Sequence, residues 1–117
     1  MPNSAKETNH LFPVFLKLEN LRLLIVGGGY VGMEKLQAVI ANSPATKIKL
    51  IASEISNEIK AFAKPYSNIQ LIEKPYNIDD LEHIDIVIAA INEREISTQI
   101  VADAKSKSIL VNAADKP

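Results

Sequence analysis

The stretch Leu23–Gly32 reads Leu-Leu-Ile-Val-Gly-Gly-Gly-Tyr-Val-Gly, an aliphatic run that leads straight into three adjacent glycines and then a fourth. Gly27, Gly29 and Gly32 have GxGxxG spacing, which is typical of a turn that joins a parallel strand to a helix and holds a pyrophosphate. In such a turn the first glycine permits the tight reversal, the second lets the backbone approach the phosphates, and the third lets the helix pack closely. The stretch therefore predicts a dinucleotide site.

The residues on either side of the glycines matter, because glycine clusters also occur in ordinary structural turns. Leu21–Val26 is a nearly continuous aliphatic run, as expected of a parallel strand covered on both faces. Leu36, Val39 and Ile40 follow at i, i+3 and i+4 spacing, which places an apolar stripe on one face of a helix. Strand, glycine turn and helix thus occur in the required order, which favours nucleotide binding over a purely structural turn.

The composition indicates one globular domain and excludes several classes of partner. The chain has 117 residues, of which 47% are hydrophobic and 23% charged, and its net charge of −1 argues against binding to nucleic acid. No apolar stretch approaches the ~20 residues of a membrane span, and the start lacks a signal peptide's apolar segment.

The absence of cysteine favours a cytoplasmic protein and excludes thiolate metal sites. His10 and His83 have no partner at ligand spacing, so no metal site is expected.

Alternating strand-like and helix-like segments predict a doubly wound parallel α/β sheet of the Rossmann type. Right-handed crossovers give the strand order 3-2-1-4-5. Ser53–Ser56 is the expected cap region of the second helix, which ends before Pro65, and Asn92 and Glu95 have capping-box spacing for the last helix. The expected strands are Leu21–Val26, Ile48–Ala52, Ile69–Ile72, Ile84–Ala90 and Ile109–Asn112.

Ligands of such sheets bind beyond the carboxyl ends of the strands, which selects a set of candidate residues. Glu54 lies about 22 positions after Gly32, close to where an acidic residue binds the adenosine ribose hydroxyls, and a carboxylate there favours NAD over NADP. Ser53 is nearly as well placed to bind the ribose, and Lys47 or Lys49 could weaken the preference for NAD. The alternative interpretation of Glu54 is a solvated glutamate near a helix start. The candidate cofactor-binding residues are Gly27, Gly28, Gly29, Tyr30, Val31, Gly32, Ser53, Glu54, Ala90 and Asn92.

Asp115 lies just past the last predicted strand, at the same edge of the sheet. Position alone leaves two interpretations open, a catalytic carboxylate or an ordinary aspartate in the turn composition Asp-Lys-Pro. Asn112, at the end of that strand, is equally consistent with a hydrogen-bonding residue or a ligand-binding one.

Four segments carry a likeness to a known family. Pro13–Leu18 reads Pro-Val-Phe-Leu-Lys-Leu and precedes the strand and triple glycine of Leu23–Gly29. Ala89–Asn92 reads Ala-Ala-Ile-Asn, and Val111–Asp115 reads Val-Asn-Ala-Ala-Asp. In these features the chain resembles the amino-terminal domain of siroheme synthase, of the precorrin-2 dehydrogenase and sirohydrochlorin ferrochelatase family. One departure is Ile91, which stands where the family has threonine.

The resemblance implies a specific reaction and a specific residue for it. Precorrin-2, a tetrapyrrole, would be oxidised to sirohydrochlorin with NAD as cofactor, and some members of the family also insert ferrous iron. The family's aspartate, implicated in both reactions, corresponds to Asp115. Family members continue beyond this domain with dimerisation elements and a helical region that completes the tetrapyrrole site. Residues 1–117 are therefore expected to form the NAD-binding domain of a longer, homodimeric protein.

Two functions of other classes remain open from the residues alone. A non-catalytic NAD-sensing regulatory domain would use the same glycine turn and an acid near Glu54, but it would not need Asp115. A methyltransferase that uses S-adenosylmethionine can have a similar glycine-rich first turn, although the helix-packing Gly32 argues against it.

Overall fold

A computed structural model describes residues 17–113, so Pro13–Leu16 and Asp115 lie outside the described range. In this range the chain forms five strands, three α-helices and two short 3-10 helices. The strands are β1 (Arg22–Val26), β2 (Lys47–Ala52), β3 (Ile69–Glu73), β4 (Ile86–Ala89) and β5 (Leu110–Ala113). The helices are α1 (Tyr30–Asn42), α2 (Asn57–Ala63) and α3 (Arg94–Ser106), with 3-10 helices at Leu18–Asn20 and Ile78–Leu81.

The five strands form one parallel sheet in the order β3-β2-β1-β4-β5. This confirms the predicted Rossmann-type α/β fold. Val26, the last residue of β1, pairs with Ile51 of β2 and Ala89 of β4. Because these strand ends are in register, the loops that follow β1, β2 and β4 leave the sheet at the same edge.

The core lies on both faces of the sheet, with β1 at its centre. Leu23 and Ile25 pack against α1 and α2 on one face, whereas Leu24 and Val26 pack against α3 and the second 3-10 helix on the other. Burying a leucine or isoleucine side chain fully contributes about 1.5–3 kcal/mol, so the aliphatic run holds the two layers of helices to one sheet. The helical residues buried against the sheet are Leu36, Val39, Ile40, Ile59, Leu81, Ile100 and Ala104.

Strand β4 is shorter than predicted, because its apolar run begins before the strand does. Ile84 is buried, but its N–H donates to the Leu81 carbonyl (3.1 Å) in a turn where His83 has a φ of +64°. That turn ends the second 3-10 helix, and pairing with β1 starts only at Ile86. Ile84 is therefore a buried apolar residue that lies in a turn and not in the strand.

The two predicted helix caps have different outcomes. The side chain of Ser56 accepts a hydrogen bond from the Ile59 N–H (3.2 Å), which confirms a cap in the Ser53–Ser56 region. The predicted capping box of Asn92 and Glu95 is wrong, since the N-cap of α3 is Glu93 and its side chain makes no capping hydrogen bond. The helix begins one residue later than the capping box requires, which leaves Asn92 in the loop.

Candidate dinucleotide site

Gly27 occupies a position between the ends of β2 and β4 that no other residue fits. Its N–H donates to the Ile51 carbonyl (3.0 Å), and its φ of +147° lies in the region that favours glycine. A Cβ at Gly27 would lie 2.0 Å from the backbone carbonyl oxygen of Ala90. That oxygen cannot move freely, because the Ala90 N–H is itself bonded to the Val26 carbonyl (2.8 Å). A side chain here would force β1 and β4 apart.

Gly28 and Gly32 are also required by close backbone contacts. A Cβ at Gly32 would lie 2.3 Å from the Gly27 carbonyl oxygen, so Gly32 lets α1 pack against the turn. A Cβ at Gly28 would lie 2.2 Å from the Glu54 carbonyl oxygen, and the Gly28 carbonyl accepts a hydrogen bond from the Ser56 N–H (2.9 Å). The GxGxxG pattern does not specify glycine at position 28; the contact with the loop after β2 does.

Gly29 differs from the other three glycines because it faces open space. A Cβ at this position would meet no atom within 4 Å, and Gly29 caps α1 without a side-chain hydrogen bond. The first N–H groups of a helix have no intrahelical acceptor, and the helix dipole makes this end positive. The N–H groups of Tyr30 and Val31 are therefore suited to an anion approaching over Gly29. Tyr30 is 83% exposed.

A cleft of about 530 Å³ extends over this turn at the carboxyl edge of the sheet. All the predicted cofactor-binding residues line it except Gly32, which is buried behind the turn. Sequence reasoning missed the part of the wall that comes from the loop after β3 and from α3. The additional lining residues are Val26, Ala52, Pro75, Tyr76, Ile91, Glu93, Ile96 and Gln99.

Side-chain hydrogen bonds stabilise the wall of the cleft that is formed by the loop after β3 and by α3. The hydroxyl of Tyr76 donates to Oδ2 of Asp103 in α3 (2.9 Å). Burial of the ring, together with the Asp103 carboxylate, raises the pKa of Tyr76 well above the 10.0 of an ordinary tyrosine. Lys74 forms an ion pair with Asp80, whose carboxylate also accepts a hydrogen bond from the Asn77 N–H (2.8 Å). These bonds fix the loop that carries Pro75 and Tyr76.

A second groove of about 470 Å³, here called the α2 groove, lies beside Gly28 and the exposed Glu54. Oε2 of Glu73, the last residue of β3, accepts a hydrogen bond from the Ile55 N–H (3.1 Å) and lies 3.4 Å from the ammonium of Lys60. The Ile55 hydrogen bond, with a further contribution from Lys60, lowers the pKa of Glu73 from the ordinary 4.5. The groove is lined by Gly28, Gly29, Glu54, Ile55, Ser56, Asn57, Lys60 and Glu73.

The remaining candidates lie elsewhere or outside the described range. Asn112 is exposed in β5, opposite Ile88 of β4, and it does not line the cleft. His83 is exposed and lines a pocket with Arg22, the first residue of β1, at the other edge of the sheet. Within residues 17–113 no three histidine, cysteine or acidic side chains are grouped as a metal site would need. None of the helices in that range is both long and apolar enough to cross a membrane.

Comparison with protein families matches residues 14–117 to the family described as "Putative NAD(P)-binding". The chain belongs to this NAD(P)-binding family. The match covers nearly the whole chain, including the glycine turn, the cleft and Asp115. This domain is therefore a Rossmann-type NAD(P)-binding domain, as the opening stretch of strand and glycines predicts.

Curated proteins similar to this NAD(P)-binding domain include siroheme synthases. The siroheme synthase of Psychrobacter arcticus is 37% identical over 106 residues, covering 91% of this chain and 19% of that protein. The enzyme of Chromobacterium violaceum is 31% identical over 104 residues, covering 89% and 22%. The chain thus spans about a fifth of the length of these relatives, and the predicted resemblance to the amino-terminal domain of siroheme synthase is confirmed.

Solved structures share the fold. The precorrin-2 dehydrogenase SirC has a TM-score of 0.68 with 22% identity, covering 92% of this chain and 51% of that one. Saccharopine dehydrogenase (L-Glu forming) from Saccharomyces cerevisiae has a TM-score of 0.58 with 18% identity, covering 83% and 22%. At these identities the likeness supports the Rossmann-type sheet of the NAD(P)-binding domain and carries no residue roles.

Proposed function

We propose that this protein oxidises precorrin-2 to sirohydrochlorin with NAD+ in siroheme biosynthesis. The observation that carries the proposal is the combination of an open glycine-lined cleft with similarity to siroheme synthases over about nine-tenths of the chain. A cleft of about 530 Å³ is within the ordinary range for small-molecule and cofactor sites.

The residues of the cleft fit a dinucleotide in two places. Gly29 leaves open space in front of the uncapped α1 N-terminus, where the N–H groups of Tyr30 and Val31 would bind the pyrophosphate. Glu54, exposed at the end of β2, would accept hydrogen bonds from the adenosine ribose hydroxyls and would repel a 2′-phosphate. This arrangement favours NAD over NADP, and the nicotinamide of NAD+ supplies the hydride acceptor.

Asp115 is proposed as the catalytic residue. It follows β5 by two positions in the sequence, and β5 pairs with β4, whose end carries Ala90 and Asn92 into the cleft. Oxidation removes a hydride and a proton from the macrocycle. The Asp115 carboxylate would take the proton as general base, and NAD+, when bound, would accept the hydride.

Two further expectations from the family resemblance extend the proposal. The same Asp115 carboxylate would accept the pyrrole protons that sirohydrochlorin loses when ferrous iron, here a substrate, enters the ring. We also propose a cytoplasmic homodimer, for which the cysteine-free composition and the family resemblance are the support.

The test is the substitution Asp115→Asn, which keeps the shape of the side chain but removes its basicity. Oxidation of precorrin-2, followed as NADH formation, is expected to fall by about 100-fold or more. NADH affinity, measured by its fluorescence, is expected to stay within about twofold, equivalent to about 0.4 kcal/mol. Asp79→Asn, at an exposed position of the second 3-10 helix, is the matched control and should leave both values unchanged.

Each other result has a definite meaning. Oxidation that persists in the Asp115→Asn protein would reject the role of Asp115. A wild-type protein that binds NADH but does not oxidise precorrin-2 would support the NAD-sensing function instead. Tighter binding of S-adenosylmethionine than of NAD+ would reject both.

A further inference from the structure

Among the described residues that line the α2 groove there is one cation, and it is paired with a carboxylate. Among the groove's lining residues only Lys60 is positively charged, and its ammonium lies 3.4 Å from Oε2 of Glu73. Glu54 lines the same groove and also borders the main cleft. The groove is therefore the space next to the carboxylate that is proposed to bind the adenosine ribose.

A dinucleotide with a 2′-phosphate would need a cation at this place. A phosphate dianion is held by lysine or arginine, and a carboxylate beside it is repulsive. Lys60 on α2 is the cation that lines the groove, but its ammonium pairs with Glu73, which adds a second carboxylate to the groove that Glu54 lines.

Glu73 is held in place by the backbone as well as by Lys60. It ends β3, where it pairs with Ala52 of β2, and the Ile55 N–H donates to the same Oε2 that Lys60 approaches. The hydrogen bond from the Ile55 N–H keeps the Glu73 carboxylate aimed at α2, whereas the half-exposed Lys60 side chain is flexible. The position of the Lys60 charge is thus set from β3.

We propose that Glu73 is a specificity-determining residue, which keeps Lys60 from the 2′-position of the ribose and so excludes dinucleotides that carry a 2′-phosphate. The proposal rests on the proposed function, in which Glu54 binds the ribose of NAD. Glu73 acts through Lys60 and is a positioning residue; the groove would bind NADP once the pair is broken.

The test compares NADH and NADPH affinities, measured by fluorescence, in the wild type and four variants. Glu73→Gln keeps an oxygen for the Ile55 N–H but releases Lys60, and the ratio of the NADPH to the NADH dissociation constant should fall about two- to fivefold, as expected for a half-exposed ion pair. Glu58→Gln removes the same charge from α2 outside the groove and should leave the ratio unchanged. In a Lys60→Gln background, Glu73→Gln should no longer change the ratio, because the released cation is missing.

The outcomes separate this proposal from the function on which it rests. NADH binding by the wild type, with the ratio in Glu73→Gln equal to that in Glu58→Gln, would overturn the role of Glu73 alone. A fall that persists in the Lys60→Gln background would show simple charge removal and would also overturn it. A wild type that binds neither NADH nor NADPH would overturn the proposed function itself. Circular dichroism of every variant verifies that it is folded.

Discussion

The two walls of the cleft are built by different means. The glycine turn depends on backbone contacts so close that a Cβ at Gly27 would lie 2.0 Å from the Ala90 carbonyl oxygen. The opposite wall depends on side chains, chiefly the 2.9 Å hydrogen bond from Tyr76 to Asp103. A backbone contact in the centre of the sheet cannot relax without separating strands, whereas a side-chain contact can be lost locally. The turn should therefore be much less tolerant of substitution than the wall.

The largest effect is expected for Gly27→Ala. The new methyl group would overlap the Ala90 carbonyl at a φ of +147°, and strain of this kind costs about 3 kcal/mol or more of unfolding free energy. Gly29→Ala is the matched control, because its Cβ meets no atom within 4 Å, and it should cost at most about 1 kcal/mol as a helix N-cap change. Urea unfolding measures both, and equal losses would refute the distinction between these glycines.

A smaller loss is expected for Tyr76→Phe. The substitution leaves the partly buried Asp103 carboxylate without its donor, which should lower the free energy of unfolding by about 1 kcal/mol. Tyr66→Phe removes the same group from a ring that packs on Phe62, and within residues 17–113 its hydroxyl makes no hydrogen bond. Its effect should stay below about 0.5 kcal/mol. A loss in Tyr76→Phe as large as in Gly27→Ala would erase the contrast between the walls.

The fold and the glycine turn could be predicted because their signals are local. Leu23–Gly32 contains both the buried central strand and the residues that its turn requires, within ten consecutive positions. The strand order also depends on the Rossmann-type arrangement that the glycine turn indicates, because right-handed connections alone also allow the order 2-1-3-4-5. The family match covers Asp115, but its role stays a prediction, since that residue lies outside the described range.

The remaining part of the site depends on contacts between distant positions. Tyr76 and Asp103 are 27 residues apart, and nothing in the periodicity of either segment indicates that they meet. Gly28 must be glycine because a Cβ there would overlap the carbonyl oxygen of Glu54, which lies in the loop after β2. The exact start of α3 was missed for a similar reason, since Asn92 has capping chemistry but lines the cleft before the helix begins.

The smallest effect is expected at the exposed Glu73, which ties the loop after β2 to β3 beside the glycine turn. The Ile55 N–H lowers the pKa of Glu73 from the ordinary 4.5 in the folded state, so the unfolded chain binds this proton more readily. The stabilisation is therefore present above about pH 4.5 and is lost as the pH falls through the lower pKa of the folded state.

Glu73→Gln should show a slightly shallower loss of unfolding free energy on acidification than the wild type, whereas Glu58→Gln should follow the wild type. The effect is small because exposed ion pairs are screened by solvent, and identical acid profiles for Glu73→Gln and the wild type would show that this carboxylate does not anchor the loop.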